Sequence, residues 1–270
     1  MVLFHAGCPD GFCAAWIVHT KWPDAEFIAV SYGYPPPPVA ARDVLILDFS
    51  YKRQVLQEMA LKAASLRVLD HHESAQRDLE GFLGAKIVLG KSGARLAYEE
   101  FYGTEKMRWD WIVDYTEDRD LGLDKLPATR EISVAIASFP RTFEAWTEMI
   151  ERGYGPLIAE GGAILRYKDQ LVRQVVANAT ELILDGHSVL VTNCGVGNLE
   201  SEVAAALAIN HPFGACWSES GNKRKWSLRS TASGSNVARI AERYGGGGHE
   251  HAAGFIESIR EPKNFGGINT

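Results

Sequence analysis

Apolar residues gather in short runs that stop at a polar, chemically able residue. Val2-Leu3-Phe4 runs into His5 and then Asp10-Gly11. Val44-Leu45-Ile46-Leu47 stops at Asp48, and Leu66-Arg67-Val68-Leu69 stops at Asp70-His71-His72. Short runs of this kind predict strands of a parallel sheet buried on both faces. Strands are expected over 2–6, 26–31, 43–48 and 66–70. Helices are expected from Asp10-Gly11 onward and over 51–63, 92–102 and 108–117. That alternation is the α/β pattern. In an open α/β sheet the ligand crevice lies at the carboxyl ends of the strands. One rule therefore brings His5, Asp10, Asp48, Asp70, His71 and His72 together. Crowded carboxylates repel and need a cation, and a nitrogen–oxygen donor set suits a divalent first-row ion, manganese foremost. The pattern points to a metallohydrolase.

The pattern changes after about residue 140. Residues 141–180 read as helical and strandless, interrupted by Gly153, Gly155, Gly161 and Gly162, with Gly153 to Gly155 as a hinge. A strand over 188–192, an Ala-rich helix over 200–209 and a hairpin turning at Gly221-Asn222 follow. A helix over 236–243 leads into Gly245-Gly246-Gly247-Gly248-His249. The expected class is α/β: a parallel-sheet domain over 1–140, a helical connector over 141–182, and a smaller α/β domain over 183–262. Residues 263–270 read as a frayed tail.

Composition narrows the partners. The chain has 270 residues, 46% of them hydrophobic, and a net charge of −6. A broad basic face for long nucleic acid is disfavoured, although Lys223-Arg224-Lys225 with Arg229 could hold a short phosphate chain. The four cysteines form no C-x-x-C pair, and no apolar stretch is long enough for a membrane span. A reduced, cytoplasmic protein with no membrane partner is the expectation, and a homodimer is compatible with it.

Each candidate has an ordinary reading beside the chemical one. Two histidines straight after Asp70 at a strand end are hard to explain structurally. Asp10 could merely cap a helix, and Asp48 alone would be a weak signal. Of Asp114, Asp118 and Asp120, one ligand suffices, and periodicity does not choose among them. The contiguous glycines before His249 could be a linker. However, they offer bare backbone N–H groups to an anion, and small residues and a strand follow at once.

Asp70-His71-His72 and Gly245-Gly246-Gly247-Gly248-His249 together resemble the DHH phosphoesterase superfamily with its associated C-terminal GGGH domain. The match spans nearly the whole chain. The forms of His5-Ala6-Gly7-Cys8-Pro9-Asp10-Gly11-Phe12 and Glu117-Asp118-Arg119-Asp120-Leu121 are similar to the NrnB-like oligoribonuclease and cyclic-nucleotide phosphodiesterase group. The resemblance implies two manganese ions, with other divalent first-row metals as substitutes. Asp48 would bridge the two ions. His5 would sit on one, and Asp10, His71 and Asp118 on the other. His72 would face the substrate phosphate and Asp70 would support the ligands, so that Asp48, His72 and Asp70 form the catalytic set. Arg229, Ser230, Gly246, Gly247, Gly248 and His249 would bind substrate. Asp118 is preferred to Asp120 by its place in the family's fourth motif. Many relatives carry an acid where Cys8 stands. Cysteine is a poor manganese ligand, so packing is the simpler role for it.

The implied activity is hydrolysis of short oligoribonucleotides or small nucleotides by water activated between two metals. A phosphomonoesterase or pyrophosphatase on a compact substrate is the alternative within the same chemistry. A non-catalytic nucleotide sensor is the alternative of another class.

Overall fold

The computed structural model describes residues 1–195 and 199–259, so the tail expected over 263–270 lies outside the described residues. The chain divides into two compact units, Met1–Leu165 and Arg166–Thr270.

The first unit begins β1 (Val2–His5), α1 (Pro9–Lys21), β2 (Phe27–Val30), β3 (Asp43–Leu47), α2 (Arg53–Lys62) and β4 (Ser65–Asp70). It continues through α3 (Glu73–Asp78), β5 (Ala85–Ile87), α4 (Gly93–Tyr102), α5 (Asp110–Asp120), α6 (Thr129–Ser138) and α7 (Phe143–Arg152). The boundary between the units falls within α8 (Gly155–Val176). The five strands form one parallel sheet in the order β2-β1-β3-β4-β5.

Alternation along the strands explains why they are apolar throughout. Val2, Phe4, Leu45, Leu47 and Leu69 enter one core with residues of α1, α4, α5 and α6. Leu3, Val44, Ile46 and Val68 enter another with Leu56 and Met59 of α2. β1, β3 and β4 thus each have two buried faces, as their apolar runs require, whereas the edge strands β2 and β5 expose Ala29 and Lys86. Sequence order reverses about β1, which lies between β2 and β3. This is the switch point at which open α/β sheets leave a crevice at their carboxyl ends.

The second unit contains β6 (Thr180–Leu184), β7 (His187–Asn193), α9 (Glu200–Leu207), β8 (Gly214–Ser220) and β9 (Lys223–Arg229). It is completed by α10 (Val237–Arg243), β10 (Gly247–His249) and β11 (Ala252–Ser258). Its sheet runs β10-β11-β9-β8-β7-β6, with β7 and β8 parallel and the other neighbours antiparallel. Residues of α10 pack with Trp226, Leu228 and Phe255 in one core. Residues of α9 pack with Cys216, Leu171 and Val175 in another. The hairpin at Gly221-Asn222 is present, with Gly221 at φ +59.

Three sequence expectations are corrected. Gly161 and Gly162 do not interrupt the helix, because α8 runs through both. Gly161 instead permits contact with α6, since a Cβ there would lie 1.8 Å from the Glu131 carbonyl oxygen. The strand β6 begins at the last residue of the stretch read as strandless and precedes the first strand expected in the second unit. The glycine run is not simply a loop: Gly247 to His249 form the edge strand β10, paired with β11.

Candidate metal centre

The sheet brings His5, Asp48 and His71 to one end, because each closes or directly follows a strand. His5 ends β1, Asp48 follows β3, and His71 follows β4. Asp48 has φ +55, a left-handed conformation that costs a non-glycine residue energy. Its amide nevertheless donates to Leu69 O at 2.9 Å. The turn needed to aim the carboxylate is therefore made directly at the strand end.

The two oxygens of Asp48 face different histidines. Oδ2 lies 3.5 Å from His5 Nδ1, and Oδ1 lies 3.1 Å from His71 Nε2. His71 Nε2 is also 3.7 Å from Asp10 Oδ2 and 3.5 Å from Asp120 Oδ2. Asp10 sits inside α1 but caps another helix: the amides of Gly93 and Ala94 at the start of α4 donate to its two oxygens at 2.6 and 2.8 Å. The cap role and the place in the cluster hold together.

Asp70 organises the double histidine. Its Oδ1 accepts from the His71 amide at 2.7 Å and the His72 amide at 3.3 Å, and lies 2.6 Å from His72 Nδ1. The bond from Asp70 raises the His72 pKa, partly offset by burial. Asp70 thus engages His72 Nδ1 and favours the cationic form of the ring.

The fourth-motif expectation is corrected. Asp118 does not join the cluster. It is buried, and its oxygens accept from the Lys125 amide at 3.0 Å, the Leu126 amide at 3.1 Å and the Thr129 hydroxyl. Asp120, two residues on, stands at His71 instead. Positions two apart on a helix point in nearly opposite directions, so only one of the pair can reach the strand ends. The third acid of that run, Asp114, pairs with Arg95.

The electrostatics call for a cation. Burial, together with the carboxylates of Asp48 and Asp120, pushes Asp10 well above the ordinary carboxylate range. Burial pushes Asp120 up as well, against the pull of His71. Burial acts in the same direction on Asp48, but His5 and His71 outweigh it and bring that carboxyl down to about 2. Cys8, at the N-cap of α1, is pushed up to about 12 by burial and by Asp48, while the amides of Gly11 and Asp10 pull the other way.

The donor set also fits a metal by what it leaves unpaired. Asp48 Oδ2, His5 Nδ1 and Asp70 Oδ2 are buried without a hydrogen-bond partner, although such atoms normally find one. Among the described residues, three groups have donor atoms within 4.8 Å of one another: Asp48 with Asp70, His71 and His72; His5 with Cys8 and Asp48; and Asp10 with His71 and Asp120. Imidazole and carboxylate donors of this kind suit a divalent first-row ion.

Two glycines not assigned to the site make room for it. A Cβ on Gly93 would lie 2.4 Å from Asp48 Cβ. A Cβ on Gly11 would lie 2.6 Å from His5 O and 3.1 Å from Asp48 Oδ2. Gly93 carried no motif signal, and only its position at a helix start hinted at it. The Tyr32 ring stands edge-on to His5, with centroids 5.4 Å apart.

The second-unit candidates divide. A cavity of about 280 Å³ is walled by Ser201, Lys225, Ser227, Arg229, Gly247 and Gly248, among others. Arg229 is held by Leu228 O at 2.8 Å and Ser201 Oγ at 2.7 Å. Gly246, Ser230 and His249 stand outside that wall. A Cβ on Gly246 would meet Gly254 O at 2.1 Å, so it serves close packing. Ser230 Oγ lies 3.0 Å from His251 Nδ1, and His249 is exposed on the edge strand.

No protein-family model matches the sequence. An uncharacterized protein of Acanthamoeba polyphaga mimivirus is 28% identical over 285 residues, spanning 96% of this chain and 67% of that protein. Three solved structures share the fold. Exonuclease RecJ bound to manganese has a TM-score of 0.54 at 16% identity, covering 96% of this chain and 85% of that one. An exopolyphosphatase-related protein from Bacteroides fragilis has a TM-score of 0.54 at 16% identity, covering 99% and 87%. The pGpG-specific phosphodiesterase PggH from Vibrio cholerae has a TM-score of 0.52 at 15% identity, covering 96% and 93%. The mixed α/β architecture, with a parallel sheet followed by a second sheet, is common to them. No helix among the described residues is long and apolar enough to cross a membrane.

Proposed function

We propose that this chain is a divalent-metal-dependent phosphoesterase of the DHH type that hydrolyses phosphodiester bonds in short oligoribonucleotides or small nucleotides. The observation that carries the proposal is Asp48. It is a buried carboxylate whose two oxygens face His5 at 3.5 Å and His71 at 3.1 Å, with Oδ2 and His5 Nδ1 left without a hydrogen-bond partner. His5 and Asp48 would hold one ion. Asp48, Asp10, His71 and Asp120 would hold the other. A pair of divalent ions so held supplies Lewis-acid chemistry, acidifying water and drawing charge from phosphoryl oxygens.

The chain's own residues supply orientation and charge. Asp70 fixes both histidines through one oxygen. His72, held at Nδ1 by Asp70, would as a cation stabilise negative charge developing on phosphoryl oxygens. Capping of α4 by Asp10 stiffens the carboxylate against the positive end of a helix. In the second unit, Arg229 and Lys225 would take an anionic group, and a cavity of about 280 Å³ suits a phosphate with little beyond its sugar.

Three observations support manganese and a small substrate. RecJ was solved with manganese. PggH acts on pGpG. The net charge of −6 provides no long basic track for a polymer.

The test is a panel of di- to pentanucleotides, strands of about twenty nucleotides, cyclic nucleotides, bis-phosphorylated nucleosides and pyrophosphate. It is run with manganese at fixed salt and equal concentration of ends. Manganese-dependent cleavage fastest on two to about five units is expected. Faster, processive digestion of the long strands would reject the short-substrate reading. Turnover of pyrophosphate or monoesters alone would replace it with the compact-substrate alternative. Metal binding without any turnover would favour a sensor.

A further inference from the structure

The group formed by His5, Cys8 and Asp48 differs in kind from the one around His71. Its donor atoms lie within 4.8 Å of one another. That is close to the spacing two donors need on one ion at about 2.0–2.3 Å each. Two of the three, His5 Nδ1 and Asp48 Oδ2, face each other at 3.5 Å and are buried without a hydrogen-bond partner, and Asp48 as a whole is 1% exposed. The third is the sulfur of Cys8, at the N-cap of α1. The opposite group, Asp10, His71 and Asp120 with Asp48 Oδ1, has only nitrogen and oxygen donors.

From this asymmetry we infer that Cys8 is a metal ligand, so that the His5 side of the centre is a mixed nitrogen–oxygen–sulfur site. This side selects a borderline ion of the zinc, cobalt(II) or iron(II) class, whereas the His71 side takes a hard ion such as manganese. The inference rests on the phosphoesterase reading only in sharing Asp48 with it. It replaces the packing role expected for Cys8. Thiolate ligands favour softer ions, while carboxylate-rich sets suit manganese. On binding, the Cys8 S–H proton passes to solvent and the sulfur pairs with the cation, so occupancy of this site releases a proton. Three protein donors also leave a position open, as catalytic rather than structural zinc sites do.

The test uses the full chain, stripped with chelator and titrated with cobalt(II), zinc or manganese while binding is followed directly. Wild type should develop a near-ultraviolet thiolate-to-cobalt charge-transfer band that is absent from Cys8→Ser. Zinc should bind the wild type more tightly than manganese does at one of the two sites. Cys8→Ser should lose more than about tenfold of that zinc affinity, and Cys8→Asp should shift the same site toward manganese. A second measurement needs no variant. Cys8 is half-buried, whereas Cys13, Cys194 and Cys216 are fully buried, so iodoacetamide should modify Cys8 first, and saturating zinc should protect it.

Two bound ions with no Cys8-dependent band, unchanged zinc affinity in Cys8→Ser and no protection from alkylation would overturn the inference and leave the phosphoesterase reading intact. Failure to bind any ion would remove both.

Discussion

Gly93 and Asp48 are packed so closely that a Cβ on Gly93 would fall 2.4 Å from Asp48 Cβ and 2.9 Å from its Oδ1. Real side chains do not tolerate such a contact, so the helix start and the carboxylate fit only because Gly93 has no side chain. Gly93→Ala should therefore push Asp48 out of place without demanding an unusual backbone. Misplacement on the order of 1 Å costs about 100-fold in rate. Gly93→Ala should lose about that much activity together with bound metal, read by turnover and by metal content. Gly155→Ala, where a Cβ would meet nothing within 4 Å, is the control and should keep both.

Asp118 and Asp120 should separate stability from metal binding. Asp118→Ala removes an acceptor shared by two backbone amides and a hydroxyl. It should cost about 1–3 kcal/mol in denaturant unfolding, with metal affinity of the folded protein kept. Asp120→Ala should do the reverse. Comparable loss of manganese in both variants would contradict the placement of Asp120 at His71.

Acid should act on Asp118 in a definite direction. Burial raises its pKa, but the Thr129 hydroxyl and the amides of Lys125 and Leu126 outweigh that and lower it. A depressed carboxylate contributes stability above its ordinary pKa and loses it as pH falls through the folded value. Asp118→Ala should therefore narrow the stability gap between neutral and strongly acidic solution, seen in unfolding curves across that range. A gap as wide as wild type would mean that Asp118 is not stabilised by these donors.

Metal should stabilise the fold as well as activate it. Asp10, Asp48 and Asp120 are held together at the strand ends, and burial with mutual repulsion raises Asp10 well above its ordinary value. A cation binding only the folded state at 100 times its Kd adds about 2.7 kcal/mol. Thermal melts of chelated protein should rise on adding manganese, and the rise should shrink in His71→Ala.

Arg229→Ala should act through affinity. Its guanidinium lines the second-unit cavity and bonds Ser201 Oγ at 2.7 Å. KM should rise about tenfold, equivalent to about 1.4 kcal/mol, with a smaller fall in kcat. Ser201→Ala reports the loss of that hydrogen bond alone. A large fall in kcat at unchanged KM would place Arg229 in the transition state instead.

The sequence alone determined which segments are buried strands and that their ends carry the chemistry. A parallel strand buried on both faces must be apolar along its length. The first polar residue then marks both the strand end and the crevice, as at His5, Asp48 and Asp70-His71-His72. What it could not determine depends on direction and approach between elements far apart in the chain. Asp118 and Asp120 differ by two residues on one helix, and only the packing of α5 decides which acid reaches His71. Gly93 stands 45 residues beyond Asp48, and nothing local reveals that the two touch. Asp10 caps a helix 83 residues away rather than its own. The glycines at 247 and 248 become an edge strand because β11 pairs with them, although their own conformational freedom suggested a loop. Periodicity records which face of an element is buried, whereas tertiary packing alone selects which side chains on that face meet.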